Sequence, residues 1–164
     1  MSEKTSHMNK LICLIFIGVS SSGLAQETSK PVRFFDPPAV PVAKGYSQAV
    51  EIDLGSSKMI MLSGQVPLNK EGELVGSNDL SKQAEQVFIN IRHIVEEAGG
   101  SMNDIVKLNY YMINVGEIKL LRAVRDRFIN IKTPPTSTLV QVSKLFRDDV
   151  LIEIEATAVI SKNK

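Results

Sequence analysis

Cysteine occurs once in this chain of 164 residues, at Cys13; tryptophan is absent, and histidine occurs only at His7 and His93. A single thiol forms no internal disulfide. One Cys and two His nearly exclude the metal sites built from these ligands. A Ser, Cys or Thr nucleophile activated by an imidazole would have to use one of those two histidines. Aromatics at 5% leave little material for a base-stacking platform. Neither sign of charge is in excess, with 19 Lys+Arg against 18 Asp+Glu, so the basic footprint of a nucleic-acid binder is missing. What the chain does have is 43% hydrophobic residues, enough for the core of one domain.

The longest apolar run is Leu11–Val19, preceded by Lys4 and Lys10 and followed by Ser20–Ser22 and Gly23-Leu24-Ala25. That is the order of a secretory signal peptide, with small residues where a signal peptidase reads. A membrane anchor is the weaker reading, because a spanning helix needs about 20 apolar residues. The expectation is a signal peptide over 1–25, cleaved after Ala25, and a periplasmic or secreted product with no membrane attachment. Met8 is a second possible start. Cleavage removes Cys13 and His7, which leaves His93 as the sole imidazole and no thiol.

Residues 26–44 carry Pro31, Pro37, Pro38 and Pro41 and read as an extended lead-in, since each proline fixes φ and removes a donor. The domain proper is expected over 45–164. Gln48–Leu54 alternates and Lys58–Gly64 follows a Gly-Ser-Ser turn, which together suggest a hairpin. Leu80–Ala98 shows a single apolar stripe through Ala84, Val87, Phe88, Ile91, Ile94, Val95 and Ala98, the helical period. Asn78 or Asp79 can cap its start and Gly99-Gly100 its end. A strand over Ile105–Met112, a helix over Glu117–Phe128, and strands over Ser137–Val142 and Val150–Ile160 complete the order β-β-α-β-α-β-β. This is an α+β domain with both helices on one sheet face. Val50 or Ile52, Met61 and Val159 make the other face apolar enough to suggest a subunit contact.

Chemistry is harder to find in the residues alone. Gly99-Gly100 follows a helix, so it is a cap rather than a phosphate loop. His93 falls on the outer side of the helical stripe and reads as a solvated surface residue. Glu153 and Glu155 project to one face of an otherwise apolar strand. A carboxylate there needs water or a cation, so the pair is either a solvated rim or a cleft wall able to polarise water. Ser63-Gly64-Gln65 ends a strand where glycine permits close approach.

The blocks Gly45-Tyr46-Ser47-Gln48-Ala49, Ser63-Gly64-Gln65-Val66-Pro67, Gln83…Gln86…Asn90-Ile91, Ala98-Gly99-Gly100 with Asp104-Ile105-Val106-Lys107, Pro134-Pro135-Thr136-Ser137-Thr138 and Ile152-Glu153-Ile154-Glu155-Ala156 occur in consistent order from Gly45 to Ile160. Together they resemble the RidA/YjgF family, once labelled as endoribonucleases of the liver perchloric-acid-soluble protein type. The resemblance implies a chorismate-mutase-like fold, a homotrimer, and sites in clefts between subunits. It implies hydrolysis of small enamines and imines to 2-oxo acids and ammonia, with no cofactor and no metal. By motif position Glu153 would orient the water as acid/base. Tyr46 would border the pocket as a proton partner, and Ser63 and Gly64 would floor it.

One departure bears on activity. Active members read Pro-x-Arg-Ser before the penultimate strand, and that Arg grips the substrate carboxylate. Here Ser137 stands at the Arg position, or Thr136 in a register one residue earlier. Losing a buried bidentate charge pair costs on the order of 2–5 kcal/mol, about thirty- to several-thousand-fold. Ser137 is still expected to contact the ligand, and Arg122 on the second helix is the cation that could reach the cleft. The alternative to an enzyme is a non-catalytic small-molecule-binding trimer of the same fold; a ribonuclease is disfavoured by the charge balance.

Overall fold

The computed structural model describes residues 30–163, so the expected signal peptide and its cleavage after Ala25 lie outside the described residues. A single six-stranded mixed sheet carries the chain, formed by β1 (Val32–Phe35), β2 (Ala49–Asp53), β3 (Ser57–Leu62), β4 (Ile105–Met112), β5 (Thr136–Gln141) and β6 (Ile152–Ser161). Among the described residues there are two α-helices, α1 (Leu80–Glu97) and α2 (Ile118–Arg125). The spatial order is β1-β2-β3-β6-β4-β5, antiparallel throughout except for the parallel pair β4–β5. The α+β class and the two helices agree with the sequence reading. The additional element is β1, which lies in the expected lead-in: Val32–Phe35 falls between Pro31 and Pro37, so no proline interrupts the four residues that stand in register with β2.

The inner sheet face meets the helices along β6, where Ile152, Ile154, Ala156, Ala158 and Ile160 alternate inward and are buried. They pack with Ile60, Leu108 and Met112 under Ala84, Val87, Phe88, Ile91, Ile94 and Val95 of α1. Asp79 is the cap of α1, its carboxylate accepting from the Lys82 N–H at 3.0 Å, and Gly99 ends the helix at φ +78°. The second helix is shorter than expected. It ends at Arg125 instead of Phe128, and a 3-10 turn, Val115–Glu117, leads into it, held by Asn114 accepting from the Gly116 N–H. Beyond its end, Phe128 still packs inward, stacked on Phe88 at 5.2 Å. Phe88 is fully buried, so Phe88→Ala is expected to lower unfolding free energy by about 3–5 kcal/mol in urea titration.

The outer face divides in two. Val32, Ile52, Met59 and Val159 stand in one cross-strand row, and Phe34, Val50 and Met61 in the next. Several are well exposed, Phe34 at 69%. Toward β4 the same face turns polar, with Glu153, Glu155, Asn109 and Tyr111.

Candidate functional site

The two strand carboxylates, alike in sequence, have different surroundings. Glu155 accepts hydrogen bonds from Asn109 Nδ2 at 3.1 Å and Tyr111 Oη at 3.0 Å, both on β4, and that contact holds the Tyr111 phenol above its usual value. Its role is to tie β6 to β4. Glu153 has no such donor among the described residues. It lines a cavity of about 420 Å³ with Pro41, Tyr46, Gln48, Ser63, Gly64 and Phe146. Burial, and secondarily the charge of Glu155, push its carboxyl above the usual carboxylate value.

Backbone pairing fixes that carboxylate in place. Gln65 bridges to Ile154, with its N–H donating to the Ile154 carbonyl at 2.8 Å and its own carbonyl accepting from the Ile154 N–H at 3.0 Å. This sets Gly64 directly against Glu153: a Cβ on Gly64 would lie 1.8 Å from Glu153 Oε1. The close approach that glycine permits here is made by a side chain of the same chain.

A chain of polar contacts holds the cavity walls. Ser63 Oγ donates to the Ser47 carbonyl at 2.7 Å, beside Tyr46. Gln65 Nε2 donates to Gln48 Oε1 at 2.9 Å, and Gln48 Nε2 to the Pro41 carbonyl at 2.7 Å. Asn90 Nδ2 donates to the carbonyls of Val66 and Leu68, fixing the loop after β3 onto α1. Ser63 therefore presents its hydroxyl to backbone and serves as a strut at the cavity rim. Tyr46, 55% exposed, and Phe146, 59% exposed, both line the cavity and stand at its mouth.

The residues that resemblance did not assign a role are the buried amides of α1. Gln83 donates to the Gly76 and Asp149 carbonyls and accepts from the Leu151 N–H at 2.7 Å. It pins the loop that carries Phe146. Three amides at helical spacing inside an apolar stripe were the available signal, since a buried amide must satisfy something. Gln83→Leu strands three backbone groups and is expected to lower stability by about 2–4 kcal/mol, read by urea denaturation.

Ser137 and Arg122 sit elsewhere in this chain. Ser137 pairs with Leu108 and points to the helix side of β5, where it lines a small cavity with Tyr110, Arg122, Arg125 and Leu139. No residue lines both this cavity and that of Glu153. Thr136, the alternative register, spends its hydroxyl on the Val106 carbonyl at 2.9 Å. His93 differs from its reading as a solvated side chain: it is half-buried, and its Nδ1 is out of water with no partner among the described residues. The described residues contain no group of three or more His, Cys, Asp or Glu able to hold a metal, and no helix long and apolar enough to cross a membrane.

An α+β sheet with this strand order and a carboxylate packed on a Ser-Gly-Gln turn defines a class. The family described as Endoribonuclease L-PSP matches residues 38–160. The chain is 35% identical over 131 residues to a RutC family protein of Pyrococcus abyssi, covering 79% of this chain and 97% of that one. It is 40% identical over 111 residues to the 2-iminobutanoate/2-iminopropanoate deaminase of Escherichia coli K12, covering 66% of this chain and 83% of that one. Among solved structures, E. coli TdcF with bound serine superposes with a TM-score of 0.67 at 33% identity, covering 79% of this chain and 99% of that one. The chain belongs to this family, the RidA/YjgF family.

Proposed function

We propose that this protein is an imine and enamine deaminase that converts small 2-imino acids to 2-oxo acids and ammonia. The observation that carries the reading is Glu153, a carboxylate without a donor among the described residues, half-buried in a cavity and held by backbone pairing against Gly64. Support comes from the relative named a 2-iminobutanoate/2-iminopropanoate deaminase and from serine bound in TdcF, an amino acid of the right size.

The chemistry needs a positioned water and a proton carrier. A protonated imine is electrophilic at C2. Water adds there as ionised Glu153 takes one of its protons, which gives a tetrahedral amino alcohol. Glu153 returns that proton to the nitrogen, the C–N bond breaks, and ammonia leaves. The hydroxyl proton is lost as the 2-oxo group forms. An enamine first takes a proton at its β-carbon to become the imine. A carboxyl raised above its usual value suits both directions of transfer. Tyr46 at the mouth is placed to hold the substrate nitrogen or the water.

In this reading three copies join through the apolar half of the outer sheet face, which brings the Glu153 cavity of one subunit beside the Ser137 cavity of the next. The protein acts in the periplasm or outside the cell after loss of residues 1–25. No nucleic acid takes part.

The test is ammonia release from 2-iminobutanoate generated in place by an amino-acid oxidase. Acceleration above the buffer rate is expected; none at micromolar protein would favour the binding-trimer alternative. Deaminase activity that appears only in Ser137→Arg, with none in the wild type, would likewise favour the binding trimer. Solution mass checks the trimer, and N-terminal sequencing of exported protein checks cleavage after Ala25.

A further inference from the structure

The cavity between β5 and α2 contains groups that the chemistry at Glu153 does not use. Tyr110, Arg122, Arg125, Ser137 and Leu139 enclose about 90 Å³, room for a carboxylate group or a few waters but not for a whole amino acid. Tyr110 is only 4% exposed, and its hydroxyl lies out of water with no hydrogen-bond partner among the described residues. Buried hydroxyls are nearly always paired, so an orphan on a residue that lines a cavity calls for an acceptor brought from outside. A second cavity shares Tyr110, Arg125 and Ser137 with the first. Burial pushes the Tyr110 phenol up to about 12, with Arg125 pulling it down and Asp126 pushing it further up. It is therefore a donor at any physiological pH.

Two guanidinium groups flank this hydroxyl. Arg125 is held in place, its Nε and Nη2 donating to Asp126 Oδ1 at 2.8 and 2.7 Å. That leaves Nη1 for another acceptor and neutralises the one acidic group that would repel an anion here. Arg122 is one helical step away on the same face. It has no hydrogen bond or ion pair from its side chain among the described residues. Ser137, on β5, adds a hydroxyl with neither charge nor bulk.

We propose that Tyr110, Arg122 and Arg125 form a carboxylate-binding subsite that takes over the part left open by Ser137. The cation then comes from α2 instead of β5, and the phenol supplies the second directed donor that a single guanidinium fork would otherwise give. That the acid is a 2-imino or 2-oxo acid rests on the deaminase reading; the subsite itself does not.

The test is calorimetric titration of the full chain with 2-oxobutanoate, and with acetate as the bare carboxylate. Arg122 is exposed, so Arg122→Gln should leave the melting temperature unchanged, and its loss of affinity is then readable as binding. Arg122→Gln and Arg125→Gln are each expected to weaken 2-oxobutanoate by about tenfold or more, with Arg122→Lys recovering part of the loss. Tyr110→Phe is expected to weaken binding by about three- to tenfold with the melting temperature unchanged or raised, because the apo fold loses no hydrogen bond. A merely structural tyrosine would do the reverse. Unchanged affinity in both Tyr110→Phe and Arg122→Gln, or no binding by the wild type at millimolar acid, overturns the subsite. If those variants bind as wild type while Glu153→Gln abolishes turnover, the deaminase reading stands and the subsite falls. If the variants lose binding while no turnover is found, the subsite stands and the deaminase reading falls.

Discussion

Glu153→Gln is expected to lower kcat/KM for imine hydrolysis by about 10²- to 10⁴-fold and to make the folded protein more stable at neutral pH. Both effects come from the same surroundings. The Glu153 carboxyl is pushed up by burial first and by Glu155 second, so the folded state holds its proton more tightly than the unfolded chain does. Below the ordinary carboxylate value both states are protonated and the group contributes no pH dependence. As pH rises from that value through the raised folded value, the unfolded chain ionises first and folding stability falls. Above the folded value the penalty is present in full. Gln has no proton to lose, so the variant should match wild type in urea titrations at low pH and exceed it at pH 7. The acid limb of the kcat/KM profile, which reports ionisation of the base in the free enzyme, should lie above the ordinary carboxylate range and vanish in the variant. A variant that keeps wild-type turnover removes Glu153 from the chemistry, whatever its stability.

The same contrast shows why only part of this site was legible in the sequence. The period-2 pattern of Ile152–Ile160 and the period-3.6 stripe of α1 each depend on one element and one buried face, and both were readable. So was the common face of Glu153 and Glu155. What separates the two glutamates is their neighbours: Asn109 and Tyr111 reach Glu155 through the β4–β6 register, and the Gln65–Ile154 bridge sets Gly64 under Glu153. Register across strands far apart in sequence leaves no local pattern. The first strand was hidden for another reason. Its prolines argued against a ladder, yet they fall just outside Val32–Phe35, and β2 supplied an open edge. In the sequence Tyr110 is one more aromatic of the strand Ile105–Met112; only the missing partner for its hydroxyl among the described residues sets it apart, and an absent contact cannot be seen in a sequence. The split between the Glu153 and Ser137 cavities was likewise invisible, because adjacency in a motif order says nothing about which side of the sheet a residue takes.

Gly64→Ala should reduce activity nearly as far as Glu153→Gln while changing stability little. The added Cβ would sit 1.8 Å from Glu153 Oε1, 2.7 Å from Cδ and 3.0 Å from Cγ. Gly64 has no left-handed backbone angle, so the effect is steric alone. The strand cannot yield, because Gln65 and Ile154 are doubly hydrogen-bonded beside it. The side chain can: it swings into the open cavity at a rotamer cost of about 0.5–1.5 kcal/mol. That displaces the carboxylate by more than an ångström, and a general base so misplaced loses on the order of 10²-fold. Gly100→Ala is the useful contrast. Its Cβ would meet Ile160 Cδ1 at 2.5 Å inside the core, so it should cost about 1–3 kcal/mol of stability and leave the activity of the folded fraction unchanged. The decisive measurement is the double variant. If Gly64 acts only by placing Glu153, then Gly64→Ala with Glu153→Gln is no slower than Glu153→Gln alone, to within about threefold. Multiplying penalties would mean that Gly64 serves the reaction through its own backbone, and the account of the cavity floor as a seat for the carboxylate would have to be abandoned.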